Sequence, residues 1–349
     1  MNILSFGAGA IGTYVGGSLA LNGHSLVFLE RPAGVEELRK RGLRLDLSAD
    51  PRRHARDAFR IASAKFLLAA SLEDALRHGP FDAALYSLKS YDMAAALEEI
   101  KPHATRMPVV VCLCNGVDNE PALAGVLGVE KVIAAVVTSP VGRRGKGDIV
   151  LERLRGLGIA GGHHLSIPLA TACEDALLKP RVYVDAQSMK WSKLLTNLIA
   201  NATSAILDMN PVEVYAHKDL YRLEIEMLRE GLAVMRAQAI PVVDLPGIPV
   251  RALAAATKLP TWLSKPIVGR AAGSGRGGKM PSFHIDLHSG RGKSEVEFVH
   301  GAVVRAGERY GVPTPVNRAL TETLMEMTRA EIAPAEFARS PDKLLAKLV

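Results

Sequence analysis

The sequence predicts an α/β protein in which an N-terminal Rossmann-type, doubly wound parallel sheet is followed by an all-helical C-terminal domain. Three observations support this prediction. A Gly-rich turn joins a strand to a helix at the very start, short apolar strands alternate with helices in the first half, and strand signals are nearly absent after residue 185. A chain of 349 residues is usually organised by more than one core. We therefore expect two domains, residues 1–185 and residues 186–349.

The N-terminal turn carries the G-x-G-x-x-G motif. The apolar run Asn2–Phe6 leads directly into it, and a helical pattern follows. Gly7 allows the tight turn, Gly9 lets the backbone approach a pyrophosphate, and Gly12 lets the helix pack close to the strand. The phosphates would lie at the helix N-terminus, where unpaired N–H groups favour an anion. This context favours a dinucleotide site over a merely Gly-rich turn, and the predicted cofactor-binding residues are Gly7, Ala8, Gly9, Ala10, Ile11 and Gly12.

The rest of the chain divides by its periodicity. In the first half we predict strands at 25–29, 83–88, 108–113 and 132–138 and helices at 35–41 and 91–100. Residues 43–47 follow the first of these helices and are left unassigned. We also predict a surface loop at 50–60 and a turn between strands at 143–147. In the second half we predict long helices at 188–207, 219–238 and 320–332, and a mobile loop rich in Gly and basic residues at 265–281.

Composition limits the class of protein. A net charge of +7 could indicate nucleic acid, but the basic residues are scattered and aromatic residues make up only 5%. The charge is instead explained either by an ordinary basic soluble protein or by attraction of an anionic cofactor and substrate. Three cysteines without a CxxC pair indicate a reducing compartment. The Gly-rich turn leaves no room for a signal peptide, and no apolar run matches a membrane span. We expect a cytoplasmic protein with no nucleic-acid or membrane partner.

The end of the second predicted strand leaves the choice of nicotinamide cofactor open. An acidic residue at this position holds the ribose 2′-OH of NAD, whereas a cation accommodates the 2′-phosphate of NADP. Here Glu30 is followed by Arg31, so the two residues point in opposite directions. Lys89 follows the 83–88 strand and is expected at the carboxyl edge of the sheet, where it could contact the phosphates or the ribose.

The most informative stretch of the second half is 189–201. Lys193, Asn197 and Asn201 fall at i, i+4 and i+8, so they would share one face of a helix whose other residues are largely apolar. Buried amides need polar partners. A polar ligand in an interdomain cleft is the favoured partner, and an internally satisfied Lys–Asn ladder is the alternative.

A second polar cluster lies at 281–287 and 294–298. Within it, His284 and His288 form H-x-x-x-H, which could hold a metal. No third ligand follows at a matching spacing, so satisfied or solvent-facing histidines are favoured and no metal site is predicted.

These motifs resemble those of the ketopantoate reductase (2-dehydropantoate 2-reductase) family over almost the whole chain. The matching positions are the 7–12 glycine motif, Lys89, Asn115-Gly116, Trp191-x-Lys193-x3-Asn197-x3-Asn201, Pro281-Ser282, Asp286-Leu287, Gly290-Arg291, residues 294–297, Gly301, residues 311–315 and Asn317. Each motif alone is weak, but their combination in this order is specific.

The resemblance implies a role for each matching residue. Lys193 is similar to the general acid that protonates the ketone oxygen, and Glu295 to the acidic residue that pairs with the substrate hydroxyl. By the same resemblance Asn197, Asn201 and Ser282 bind substrate, and Asn115 lies between cofactor and substrate. Arg31 and Lys89 resemble the cations that favour NADPH. A lysine ammonium suits this reaction, because the carbonyl oxygen gains negative charge as hydride arrives.

The resemblance also implies a pathway. The activity would be NADPH-dependent reduction of ketopantoate or a related 2-keto acid in pantothenate and coenzyme A biosynthesis. NAD stays possible as the cofactor because Glu30 stands where an NADPH-selective member would carry a small residue. Two other classes of protein would also fit parts of the pattern. One is an oxidoreductase like the 6-phosphogluconate or β-hydroxyacid dehydrogenases, and the other is a non-catalytic NAD(P)-binding regulator. The sequence does not fix the oligomeric state, and a homodimer is possible.

Overall fold

The first of two compact units is built on a large, mostly parallel sheet. The computed structural model of the protein describes residues 1–53, 58–260, 262–265, 268 and 279–348. The first unit comprises Met1–Cys114, Asp118–Lys190 and Leu245–Ile248. Its main sheet consists of β1 (Asn2–Phe6), β2 (Ser25–Leu29), β5 (Leu67–Ala69), β6 (Ala83–Tyr86), β7 (Val109–Cys112), β8 (Val132–Val137), β11 (Leu157–Ala160) and β12 (Pro180–Tyr183). The strand order is β12-β11-β8-β7-β6-β1-β2-β5.

The central strands of this sheet confirm the predicted architecture. β1, β2, β5, β6, β7 and β8 pair in parallel, while β11 runs antiparallel to β8. The helices of the first unit are α1 (Ala10–Leu21), α2 (Pro32–Arg41), α3 (Leu72–Leu76), α4 (Met93–Ile100), α5 (Asn119–Leu127) and α6 (Ser166–Asp175). Apolar side chains from both strands and helices form the core, among them Leu4, Tyr86, Val110 and Leu123.

A second, smaller sheet of four strands also belongs to this unit. It consists of β3 (Leu43–Asp46), β4 (Phe59–Ile61), β9 (Val141–Gly145) and β10 (Asp148–Leu151), in the order β4-β3-β10-β9. The predicted turn at 143–147 was wrong in extent, because the chain is still in β9 until Gly145 and turns only at Lys146 and Gly147. The predicted surface loop at 50–60 was also too simple. It contains a 3₁₀ turn at Pro51–Arg53 and enters β4, while residues 54–57 lie outside the described residues.

The second unit is helical throughout its described part. It comprises Asn115–Val117, Trp191–Asp244 and Pro249–Val349. Its described helices are α7 (Ala186–Leu198, which begins in the first unit), α8 (Asn201–Leu207), α9 (Pro211–Ala216), α10 (Lys218–Ala237), α11 (Val250–Ala256), α12 (Ser282–Leu287), α13 (Val296–Tyr310), α14 (Pro315–Thr328) and α15 (Pro341–Ala346). The domain boundary at residues 185/186 stays a prediction.

The single long helix predicted over 188–207 was wrong. The chain forms α7 and α8 instead, separated at Ala200, whose φ of +50° lies in the left-handed region. The side chain of Glu224 on α10 stabilises this break, because it accepts the Ala200 N–H at 2.7 Å. The Gly-rich centre of the predicted loop, residues 269–278, lies outside the described residues. Within the described part, no helix has both the length and the apolar character needed to cross a bilayer.

Candidate functional site

The turn after β1 has the shape that a pyrophosphate requires. Gly7 has a φ of +88°, which permits the tight turn. A Cβ on Gly12 would lie 2.2 Å from the Gly7 carbonyl oxygen, so only glycine fits where α1 packs on the turn. By contrast, no described atom lies within 4 Å of a Cβ built on Gly9, the N-cap residue of α1. The residues at the start of α1 therefore fit a dinucleotide phosphate group.

The predicted cofactor residues lie at one edge of the sheet. Because β6, β1 and β2 are neighbours and parallel, their carboxyl ends lie side by side. Lys89 follows β6 and is half-buried, the Gly-rich turn follows β1, and Arg31 follows β2. Arg31 is exposed and occupies the N-cap position of α2.

Glu30 is a buried carboxylate already engaged by other groups of this unit. Only 8% of it is exposed. Its Oε1 accepts the Ala8 N–H at 2.6 Å, and its Oε2 accepts the Arg31 N–H at 3.3 Å. The Lys146 ammonium contacts both carboxylate oxygens, at 2.9 and 3.0 Å. Glu30 therefore links the Gly-rich turn to the β9–β10 hairpin.

A backbone hydrogen bond reinforces this link. The N–H of Gly147, next to Lys146 in the hairpin turn, donates to the Ala8 carbonyl at 3.1 Å. Both backbone polar groups of Ala8 are thus paired. Sequence reasoning missed Lys146, because it lies 116 residues from Glu30 and no local motif marks it.

In the second unit, four predicted substrate residues form a continuous row of hydrogen bonds. The Asn197 amide N–H donates to Asn115 Oδ1 at 3.1 Å. Asn201 Nδ2 donates to the Asn197 carbonyl at 3.0 Å and to Ser282 Oγ at 3.3 Å. Asn201 Oδ1 accepts the Phe283 N–H at 3.1 Å. Residues far apart in the sequence are thereby brought together, and their role in binding substrate stays a prediction.

The two predicted catalytic residues also belong to the second unit. Lys193 is half-buried on α7, one turn before Asn197 and on the same face. Glu295 is 2% exposed and forms the N-cap of α13. The prediction that Lys193, Asn197 and Asn201 share one face of a single helix is wrong for Asn201. The break at Ala200 makes Asn201 the first residue of α8, where its amide reaches Ser282 and Phe283 on α12.

Lys190 is a second residue that sequence reasoning missed. It is 4% exposed, its Nζ lies 2.7 Å from Glu120 Oε1, and it donates to the Cys114 carbonyl at 2.7 Å. Burial lowers the pKa of Lys190, but the charge and hydrogen bond of Glu120, together with the neighbouring Cys112 and Cys114, outweigh burial and raise it. The ammonium holds the carbonyl immediately before Asn115, so Lys190 positions that segment of backbone.

Two family models match the chain. The model described as ketopantoate reductase PanE/ApbA matches residues 3–160, and its C-terminal counterpart matches residues 185–328. Similar proteins include 2-dehydropantoate 2-reductase from Archaeoglobus fulgidus, 26% identical over 90% of this chain and 93% of the relative. The enzyme of the same name from Vibrio cholerae is 25% identical over 95% of this chain and 99% of the relative.

Solved structures agree with this comparison. A PanE/ApbA family ketopantoate reductase from Ralstonia eutropha JMP134 superposes with a TM-score of 0.78 at 25% identity, covering 95% of this chain and 99% of the other. The ternary structure of D-mandelate dehydrogenase with NADH and anilino(oxo)acetate gives a TM-score of 0.74 at 19% identity over 95% and 99%, which shows the fold alone. Because the two family models together match most of the sequence, the chain belongs to the ketopantoate reductase PanE/ApbA family of oxidoreductases.

Proposed function

We propose that this protein reduces 2-dehydropantoate, or a closely related 2-keto acid, with NADPH as the hydride donor. The observation that carries the proposal is the hydrogen-bonded row of Asn115, Asn197, Asn201 and Ser282, with Lys193 one helical turn away on the same face. Amides and a hydroxyl beside an ammonium suit a small substrate that carries a carboxylate, a ketone and a hydroxyl.

Each residue has a distinct proposed part in the reaction. A bound reduced nicotinamide supplies hydride to the carbonyl carbon. The Lys193 ammonium stabilises the negative charge that develops on the carbonyl oxygen and donates the proton that completes the alcohol. Glu295 accepts a hydrogen bond from the substrate hydroxyl. Asn197, Asn201 and Ser282 orient the substrate through its polar groups.

The preference for NADPH rests on the surroundings of Glu30. A carboxylate that selects NAD must offer its oxygens to the ribose hydroxyls. Here the Ala8 N–H and the Lys146 ammonium engage those oxygens. The charge of Glu30 is therefore balanced, and the exposed guanidinium of Arg31 is the group suited to a 2′-phosphate.

Activity with ketopantoate tests the reaction. We expect faster turnover with NADPH than with NADH, and a Lys193→Met variant that loses about 10²–10⁴-fold in kcat, the range for a lost acid catalyst. Its dissociation constant for NADPH should stay within about twofold, since the residue has no proposed contact with the phosphates. The control is Lys218→Met, which removes an exposed lysine at the start of α10. Wild-type turnover by the Lys193 variant would remove this residue from the mechanism.

Cofactor binding without substrate tests the role of Lys146. The Lys146→Met variant releases Glu30 from its ion pair, so we expect NADPH to bind at least about tenfold more weakly and NADH to bind equally well or better. Calorimetric dissociation constants for both cofactors measure the change. Arg144→Met is the matched control, because Arg144 lies on the same hairpin and pairs with Asp46 at 3.0 Å instead. Equal losses for both cofactors would contradict a role in selectivity.

A further inference from the structure

Three potential metal ligands meet on the second unit, at the ends of α8 and α12. His284 lies on α12, His288 is its C-cap residue, and Asp208 is the C-cap residue of α8. His284 Nε2 lies 2.9 Å from Asp208 Oδ1, and the two imidazole rings are 4.2 Å apart between centroids. One ligand atom from each of the three residues lies within 4.8 Å of the others. The proposed reductase reaction uses none of the three.

We propose that Asp208, His284 and His288 bind a divalent transition-metal ion, with Zn²⁺ as the first probe. Two imidazoles and one carboxylate are a donor set typical of Zn²⁺ and Fe²⁺. Histidines at i and i+4 lie on one helix face, so both rings can turn toward a shared ion. The sequence offered no third ligand at a matching spacing; the fold supplies Asp208 from 76 residues upstream of His284.

The possible ligand atoms of the three residues are nearly as close together as the ligand atoms around a bound metal ion. Metal bonds of about 2.0–2.2 Å in tetrahedral geometry place neighbouring donor atoms about 3.3 Å apart. His284 Nε2 and Asp208 Oδ1 are 2.9 Å apart, and one ligand atom from each of the three residues lies within 4.8 Å of the others, so the donors are already near the spacing that one ion needs. Asp208 and His288 are exposed and His284 is half-buried, which leaves the remaining coordination positions to water.

A second histidine pair provides a contrast within the same chain. The rings of His163 and His164 also lie close together, with centroids 4.3 Å apart. His163 Nε2, however, pairs with the Glu130 carbonyl at 2.9 Å. This pair belongs to no group of three potential ligands within the described residues. It therefore serves as a control for adventitious binding to paired histidines.

A metal at this site would join two helices that carry proposed substrate residues. Asn201 begins α8 and Ser282 begins α12, and their side chains are 3.3 Å apart. An ion held at the opposite ends of these short helices would restrict their relative movement. The significance for substrate binding rests on the proposed function, whereas the metal site itself does not.

Zinc binding to the tag-free, chelator-treated full chain tests the site. Titration calorimetry should show one Zn²⁺ per chain, and Asp208→Asn and His288→Gln should each weaken its affinity at least about tenfold, since even outer-shell changes cost about 10–100-fold. His164→Gln should leave the affinity unchanged. Zinc should also raise the melting temperature of the wild type more than that of His288→Gln.

Two outcomes would overturn the proposal: no zinc binding by the wild type, or equal affinity in the wild type, Asp208→Asn and His288→Gln. Because the measurements need neither substrate nor cofactor, an absence of ketopantoate reductase activity would leave the test intact. Conversely, failure to bind zinc would leave the reductase proposal unaffected.

Discussion

Glu224 shows how one buried carboxylate supports the candidate substrate site. Its side chain is fully buried and accepts hydrogen bonds from the Ala200 N–H, the Thr203 hydroxyl and the Tyr215 hydroxyl, at 2.7, 2.6 and 3.1 Å. Burial raises its pKa to about 7, although these donors oppose the rise. The residue fixes the break between α7 and α8, and so the position from which Asn201 reaches Ser282.

This raised pKa predicts a pH dependence of stability. Between about pH 4.5 and pH 7, the folded chain retains a proton that the unfolded chain releases, so the free energy of unfolding falls as the pH rises. A Glu224→Gln variant has no such titration. We expect its stability relative to the wild type to improve by about 3 kcal/mol between about pH 4.5 and pH 8. Urea unfolding across this range measures the change.

The exposed Glu226 provides the control for this measurement. It lies on the same helix and pairs with Arg229 at the surface. Glu226→Gln should follow the wild-type pH profile, because exposed ion pairs contribute little. A Glu224→Gln profile parallel to that of the wild type would show that the carboxylate ionises normally in the folded state.

The turn between β1 and α1 was predictable because its chemistry is local. The glycine spacing alone indicated where backbone must approach backbone, and the Gly12 contact with the Gly7 carbonyl agrees with it. The break between α7 and α8 was not predictable in this way. Residues 188–207 have a continuous helical pattern, and the interruption depends on Glu224, which the local sequence does not indicate as a partner.

Alanine substitutions at two glycines of this turn are expected to have different effects. Gly12→Ala would force a Cβ to 2.2 Å from the Gly7 carbonyl oxygen, so we expect stability to fall by about 1–3 kcal/mol or more, as for overpacked cores. Gly9→Ala has open space and an ordinary φ of −73°, so its melting temperature should change little. Its NADPH affinity should fall at least about tenfold, because the new methyl group occupies the phosphate approach. Melting curves and calorimetry separate the two effects. Unchanged NADPH affinity in Gly9→Ala would place the pyrophosphate elsewhere.

The sequence was most informative where structure follows from local periodicity. Buried runs such as Ala83–Tyr86 and Val109–Cys112 predicted the parallel sheet correctly. The small sheet was missed because β3 and β10 pair across about a hundred residues, and polar strands such as β9 carry no continuous apolar run. The contacts of Lys146 with Glu30 and of Asp208 with His284 were not predictable for the same reason. They join polar groups that are far apart in the sequence, and such contacts leave no periodic signal.

The net charge of +7 leads to a prediction that distinguishes general attraction from local recognition. Both nicotinamide cofactors carry a pyrophosphate, so a basic protein attracts both, and added salt weakens the binding of both. Only NADPH carries a 2′-phosphate, which adds about two negative charges. If Arg31 binds this group while Lys146 balances the charge of Glu30, raising NaCl from about 10 to 150 mM should weaken the binding of NADPH several-fold more than that of NADH. Arg31→Met should bring the two salt dependences together. Parallel salt dependences in the wild type would mean that net charge alone attracts the cofactor, and that Glu30 and Arg31 do not discriminate between its two forms.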